Sequence, residues 1–507
     1  MTASNNLHEL IQSLTPAEKR YVKIYASLNA REQENKYLHI FDIINKQEVY
    51  DEDKLMAQIE DEKLKKYLSV AKNYLQNIIL RSLVEFHANN DREISLLLSL
   101  CQLKVLLKKQ LYNVGEKLMQ KHFKLLRNCA FPLLYFFSLD FKRRVLSCRP
   151  KKNANLLQNV TFELRSMYNT LGDLVRFYEL YTHDMILLNS NQSLSKAQFE
   201  EEEKNFQEAC QRWPNLPETE YGRSYYYHLQ GMYYYNRFQL SDITYYDWLA
   251  LSQFRNNQQL GKEDPGMYIQ IVTRYLENLI VAEDFQKAAD HLYLLNKIPV
   301  ASPVQKSKLF LRYYMLQLEI YASLKDYKQA DFAICHFLHH QAKHKKHFDY
   351  DEMVTFYLNA AMFYYGFQNN YSSALDMLNR IYAAEKWISR TDLPAFIRML
   401  ELIIHYDLGH DKIVESRLRS FERYIKITKG QFKLEALAIR YFRKLLKADQ
   451  KREKELFQEL LTSMQNLKKP YHMISFSELW EWITYKKLQT QEQKDTKQAS
   501  WRFLPAF

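Results

Sequence analysis

Glycine and proline are scarce, at nine and eleven among 507 residues, where average usage is roughly 7% and 5%. Sheet proteins draw on Gly, Asn-Gly and Pro to turn between strands, and helix pairs do not. The scarcity therefore points to helices joined by short polar loops. It also removes loops in which glycine lets the backbone approach a phosphate, since neither GxGxxG nor GxxxxGKS/T occurs. HExxH, GxSxG and CxxC are absent too, so the zinc, nucleophile and thiolate sets built on those motifs are missing. The five cysteines, Cys101, Cys129, Cys148, Cys210 and Cys335, are widely spaced and odd in number. They predict reduced, mostly buried thiols in a reducing compartment. The opening residues, MTASNNLHELIQSL, place no basic stretch before an apolar one, so no secretory leader is expected. The longest apolar run, FPLLYFFSL at 131–139, is about half of what a spanning helix needs. A cytoplasmic protein is expected.

A chain of 507 residues exceeds what one compact core holds, so several domains or an elongated repeat are expected. Thr15-Pro16-Ala17-Glu18 reads as a capping box with proline at the first helical position. Short helices follow around Tyr37–Ile44 and Leu55–Ile59, and then a long one over 63–87, whose apolar face includes Leu68, Leu75 and Ile79. These predict an N-terminal helical cap at 1–90. The cap also has the outline of a helix-turn-helix with Lys63, Lys65, Lys66 and Lys72 near a recognition helix, but Asp51–Asp53 and Glu60–Glu62 crowd the same end and would repel DNA.

The most informative pattern is an internal repeat. Phe285-Gln-Lys-Ala288, Tyr327-Lys-Gln-Ala330, Tyr371-Ser-Ser-Ala374 and Asp411-Lys-Ile-Val414 each precede apolar residues at +4 and +7, at intervals of 42, 44 and 40 residues. A turn stands before each, as in Leu324-Lys-Asp-Tyr327, and Tyr112-Asn-Val-Gly115 is a weaker echo. The pattern resembles the tetratricopeptide repeat, with a period longer than the usual ~34 residues and without its Leu-Gly pair. The resemblance implies stacked antiparallel helical hairpins, in which a small residue lets the second helix nest on the first. A hairpin cannot bury its seam alone, and stacked neighbours give a continuous core. The predicted fold is all-α, an α-solenoid behind the cap, with divergent hairpins at 91–264, tetratricopeptide-like repeats at 265–430, capping helices at 431–488 and a polar, fraying tail at 489–507.

The net charge of +12 is unevenly spread. Thirteen Lys and Arg face two acids at 101–152, and thirteen face four at 416–454. The first segment includes Lys142, Arg143, Arg144, Arg149, Lys151 and Lys152, a candidate surface for a polyanion. The alternative is a solvated face. The apolar run at 131–139 inside that segment reads as a buried helix rather than a membrane-seeking one. The aromatic tract at 221–248, with Tyr225–Tyr227 and Tyr233–Tyr235, reads as packing, with base stacking as its competitor. His336, His340 and His344 share a helical face within the cluster that ends at His347. That spacing can chelate a metal, but Lys343 and Lys346 oppose it, and no metal is assigned. His183-Asp184 is a bare dipeptide without the further ligands a metal hydrolase needs.

The expected function is non-catalytic and free of cofactors: a scaffold or regulator that binds a protein or peptide on its concave face. First-helix positions facing that groove are Arg312, Met315 and Glu319, then Phe356, Asn359 and Phe363, then Phe396, Met399 and Ile403. Of these, Phe356, Phe363, Phe396 and Met399 are expected to be partly exposed on one concave surface, as a docking patch is. The alternative function is nucleic-acid binding through 101–152 and 416–454.

Overall fold

A computed structural model describes residues 3–28, 34–89, 91–126, 132–148, 150–189, 200–201, 204–205, 208, 220–235, 239–300, 302–383, 393–427, 433–465, 479 and 482–484. These residues are mostly helical and contain no strand, which makes the protein all-α as expected. None of their helices is long and apolar enough to cross a membrane. The chain divides into two units, 1–172 and 173–507. The expected tail at 489–507 lies outside the described residues.

The first unit opens with α1 (Ala3–Ser13), α2 (Pro16–Leu28), α3 (Glu34–Lys46), α4 (Glu52–Gln58), α5 (Glu62–Lys66) and α6 (Leu68–His87). The capping box forms as expected: Thr15 N–H donates to Glu18 Oε2 at 2.7 Å, and Glu18 N–H donates to Thr15 Oγ1 at 3.3 Å. The single helix expected over 63–87 is instead two, because the backbone leaves the helical region at Tyr67 (φ −112°, ψ 25°). Leu7, Ile11, Val22, Ile40, Phe41, Leu55, Leu75 and Ile79 close a core of their own. Glu62 and Glu52 neutralise two of the lysines of the helix-turn-helix outline, each at 2.7 Å from Lys65 and Lys72 respectively. A second layer follows in α7 (Arg92–Lys108), α8 (Tyr112–Leu126) and α9 (Pro132–Ser147), which pack on one another around Leu96, Leu100, Leu103, Met119 and Leu126. The chain leaves this unit along α10 (Pro150–Asn189), kinked at Asn153.

In the second unit α11 (Glu220–Tyr235) pairs with α12 (Leu240–Asn256), followed by the short α13 (Gln258–Glu263). The aromatic tract lies between the first two: Tyr234 and Tyr246 stack at 5.3 Å with their planes 6° apart, which fits the packing reading. Next come α14 (Pro265–Val281), α15 (Phe285–His291), α16 (Pro303–Ser323), α17 (Tyr327–His340), α18 (Tyr350–Met362) and α19 (Tyr371–Tyr382). The described chain continues through α20 (Leu393–Asp407), α21 (Asp411–Ile427), α22 (Lys433–Leu445) and α23 (Gln450–Gln465). Each helix from α14 onward packs on the next, α17 meeting α18 through the Phe337 and Phe356 rings, and α14, α16 and α18 also pack on one another in order.

The sequence repeat has a structural counterpart at its turns. Glu283, Lys325, Asn369 and Gly409 all have positive φ, between 51° and 68°, and each stands five residues before Ala288, Ala330, Ala374 or Val414. All four of those small residues are fully buried. The residue after the positive-φ position donates its N–H across the turn: Asp284 to the Leu279 carbonyl, Asp326 to Tyr321 and His410 to His405, at 2.9–3.0 Å. This is the 6→1 bond of a Schellman motif. Asp284, Asp326 and Asn370 then cap the second helix, accepting from Lys287, Gln329 and Ser373 N–H. Gln110, at φ 57°, makes the same turn five residues before Gly115, so the weak echo carries the same geometry. At the longest interval the turn is preceded by a π-helical stretch, Phe363–Phe367, which takes up extra length.

Candidate docking surfaces

The residues expected to line an open groove are buried. Phe356 and Phe363 have no exposed surface, and Met315, Asn359, Phe396, Met399 and Ile403 keep 3% or less. This corrects the expectation of partial exposure. The cause is visible in α18, where every residue from Met353 to Met362 is buried. A helix apolar all round has no face to leave open. These side chains join Phe337, Phe421 and Trp482 in one continuous core.

Arg312 and Glu319 belong to an internal charge network instead. Arg312 Nη2 donates to Glu352 Oε1 at 2.7 Å, and its Nη1 lies 3.6 Å from Glu277 Oε1. One guanidinium thus ties α14, α16 and α18. Burial, eased by Arg312, lifts the Glu277 carboxyl to about 7, and both of its oxygens are buried without a hydrogen-bond donor. Burial and the neighbouring Glu277 lift Glu319 to about 8. One layer earlier, Arg274 pairs with Asp247, which also accepts from Asn278 Nδ2 at 2.6 Å, and Arg274 donates to the His228 carbonyl at 2.9 Å. A Cβ on Gly231 would stand 2.6 Å from both Arg274 and Asp247, so this close approach requires glycine there. Buried ion pairs of this kind fix geometry more than they add stability.

Both basic segments are only partly answered by acids. At 416–454 Arg417 meets Glu401 at 3.0 Å, Arg443 meets Glu422 at 2.5 Å, and Arg452 meets Glu455 and Glu459, while Arg419, Arg423, Lys433, Arg440, Lys447 and Lys451 are exposed with no carboxylate partner among the described residues. In the first segment Arg143 and Arg144 share Asp140 at 2.8 and 2.5 Å, and Lys142 lies over the Phe123 ring. Arg149 and the side chains of Lys151 and Lys152 lie outside the described residues. Along α7, its C-cap and α8, Lys104, Lys108, Lys109, Lys117, Lys121 and Lys124 are likewise exposed and have no carboxylate partner among the described residues.

Beside them is a cleft of about 520 Å³. Helix α7 contributes Lys104, α9 contributes Phe136, Phe137, Asp140, Phe141 and Arg144, and α10 contributes Leu164, Arg165 and Tyr168. The helical spacing of α9 explains its share: Leu134, Ser138 and Val145 turn inward, while Leu133 and Phe137, one turn apart, stay 56% exposed. The described part of the run, 133–139, is therefore only half buried, where a buried helix was expected. Burial holds His122, beside Ser138 Oγ at 2.7 Å, down to about 4 and so neutral in the core beneath.

The histidine cluster is occupied with packing. Tyr314 hydroxyl meets His336 Nδ1 at 2.7 Å, Ser307 Oγ meets His344 Nδ1 at 3.0 Å, and His344 stacks on Phe310. Helix α17 ends at His340, so His344 leaves the shared face. Among the described residues no group of His, Cys, Asp and Glu is arranged to hold a metal ion. The side chains of His183 and Asp184 lie outside the described residues. Cys101, Cys148 and Cys335 are exposed free thiols, which corrects the expectation of mostly buried ones; Cys129 and Cys210 lie outside the described residues. Comparison with known proteins returns no matching family model, no matching curated protein and no matching solved structure.

Proposed function

We propose that this chain is a non-catalytic scaffold of the cytoplasm that binds a protein partner, built as an α-solenoid of tetratricopeptide-like hairpins behind an N-terminal cap. Support for the stacking comes from the neighbour-to-neighbour packing of α14 to α23 and from the turn that recurs at 283, 325, 369 and 409. The seat of the partner moves from the inner face of the repeats, whose apolar residues are core, to the cleft between α7, α9 and α10. The observation that carries this is the exposure of Phe137 and Tyr168, at 56% and 69%, in the lining of one concavity. Contiguous exposed aromatic surface in a concavity is the usual mark of a partner site.

A second reading, nucleic-acid binding, is favoured by the unpaired lysines of α7 and α8, which would hold phosphates. Placing a photo-crosslinking phenylalanine analogue at Phe137 in the native cell separates the two. The protein reading expects adducts that survive nuclease and are lost to protease. Adducts that disappear with nuclease would replace it with the second reading, and a Phe137 position that crosslinks to nothing would remove the cleft as a seat.

A further inference from the structure

We infer that the cleft of the first unit takes a protein segment bearing an aromatic or branched apolar side chain flanked by carboxylates. The inference rests on the reading of that cleft as the partner's seat and specifies the chemistry of what sits in it. The floor is apolar, with Phe136, Phe137, Phe141 and Leu164 closing a concavity of about 520 Å³, a size that anchors a few side chains. The charge left without a partner in its lining is positive. Lys104 and Arg165 are exposed and have no carboxylate partner among the described residues. Asp140, the only acid in the lining among the described residues, is already held by Arg143 and Arg144. A carboxylate arriving at Lys104 or Arg165 therefore meets no competing acid, while a basic segment would meet a row of cations that continues along α7 to Lys108.

Ring geometry favours a side chain over a nucleic-acid strand. Phe136 and Phe137 stand edge to face, 6.4 Å apart with planes at 72°. Crossed rings form a notch for one inserted side chain and do not offer the successive parallel faces on which bases stack. The chain's own tail at 489–507 has the wrong charge for the seat, carrying Lys494, Lys497 and Arg502 against Glu492 and Asp495.

The test uses the full chain and fluorescence anisotropy with a short labelled peptide in which phenylalanine and leucine alternate with aspartate and glutamate. Its controls are the same peptide with lysine for every acid, the same peptide with alanine for every apolar residue, and a single-stranded oligonucleotide of similar charge. The acidic, aromatic peptide is expected to bind and both control peptides to lose binding. Phe137→Ala, and separately Lys104→Glu with Arg165→Glu, are each expected to weaken it by about tenfold or more. These side chains are exposed, so the thermal midpoint should not move. Equal binding of the lysine peptide, unchanged binding by the variants, or an oligonucleotide that binds more tightly and loses affinity in the same variants would overturn the inference. Saturation of the cleft by a second copy, seen as concentration-dependent dimerisation that Phe137→Ala abolishes, would overturn it too. A nuclease-resistant protein adduct at Phe137 together with no peptide binding would refute the acidic chemistry alone; the absence of both would refute the seat itself.

Discussion

Glu319 should make the protein less stable as pH rises, and neutralising it should restore what is lost. The side chain is half-buried on α16, next to Glu277 on α14, and its carboxyl is lifted from 4.5 to about 8 by burial and by that neighbour. The other charges in the network are Arg312, Arg274, Asp247 and Glu352, and all of them act on Glu277. A carboxyl whose pKa is higher in the folded state binds its proton more tightly there, so unfolding releases protons. Stability is then greatest below pH 4.5, declines as pH rises above it, and levels off above about 8. Each pKa unit corresponds to about 1.4 kcal/mol, so the full shift would cost up to about 5 kcal/mol. Partial solvent access and relaxation reduce this to roughly 2–4 kcal/mol. Glu319→Gln keeps the shape and removes the charge. It should therefore be stabilising by that amount above pH 8 and nearly neutral below pH 4.5. Urea denaturation of both forms across this range measures the difference directly, provided the slope m is unchanged. A Gln variant that is less stable at high pH, or a difference that does not vary with pH, would refute the reasoning.

Three further outcomes can be checked by the same denaturation assay. Ala330→Leu forces a larger side chain into a fully buried helix contact and should destabilise by roughly 1–3 kcal/mol; an unchanged midpoint would mean the seam is not closely packed. Glu283→Gly and Lys325→Gly relieve positive φ values of 60° and 62° and should each stabilise by about 1 kcal/mol, while a loss would show that the side chain contributes more than the backbone costs. Gly231→Ala places a Cβ 2.6 Å from Arg274 and Asp247; it should destabilise by roughly 2–4 kcal/mol through a displaced buried ion pair, and a neutral result would mean the pair has room to shift.

The repeat was legible because its constraint is local. A residue that lets two helices touch must be small, and Ala288, Ala330 and Ala374 announce it in the sequence. The turn before each is equally local, and even Gln110, without any glycine to mark it, adopts the same backbone. The groove was misplaced because periodicity tells which side of a helix is apolar and not what covers it. A usable signal was present: no charged residue stands between Glu352 and Asp376, and a helix without a polar face is buried in full. The cleft was beyond sequence reasoning for the opposite reason. Phe137 comes from α9, Lys104 from α7 and Arg165 from α10, and only tertiary packing brings an exposed ring at one position beside unpaired cations about thirty residues away on either side. The charge network fails in the same way: Arg312 looks like a groove cation in the sequence, but Glu277 and Glu352 stand 35 and 40 residues from it. Those separations approximate the interval of the sequence pattern, and the packing of α14 on α16 and of α16 on α18 is what brings the three together. A polar residue at a repeat position is thus first a candidate for its counterpart in the adjacent repeat, and only then for a ligand.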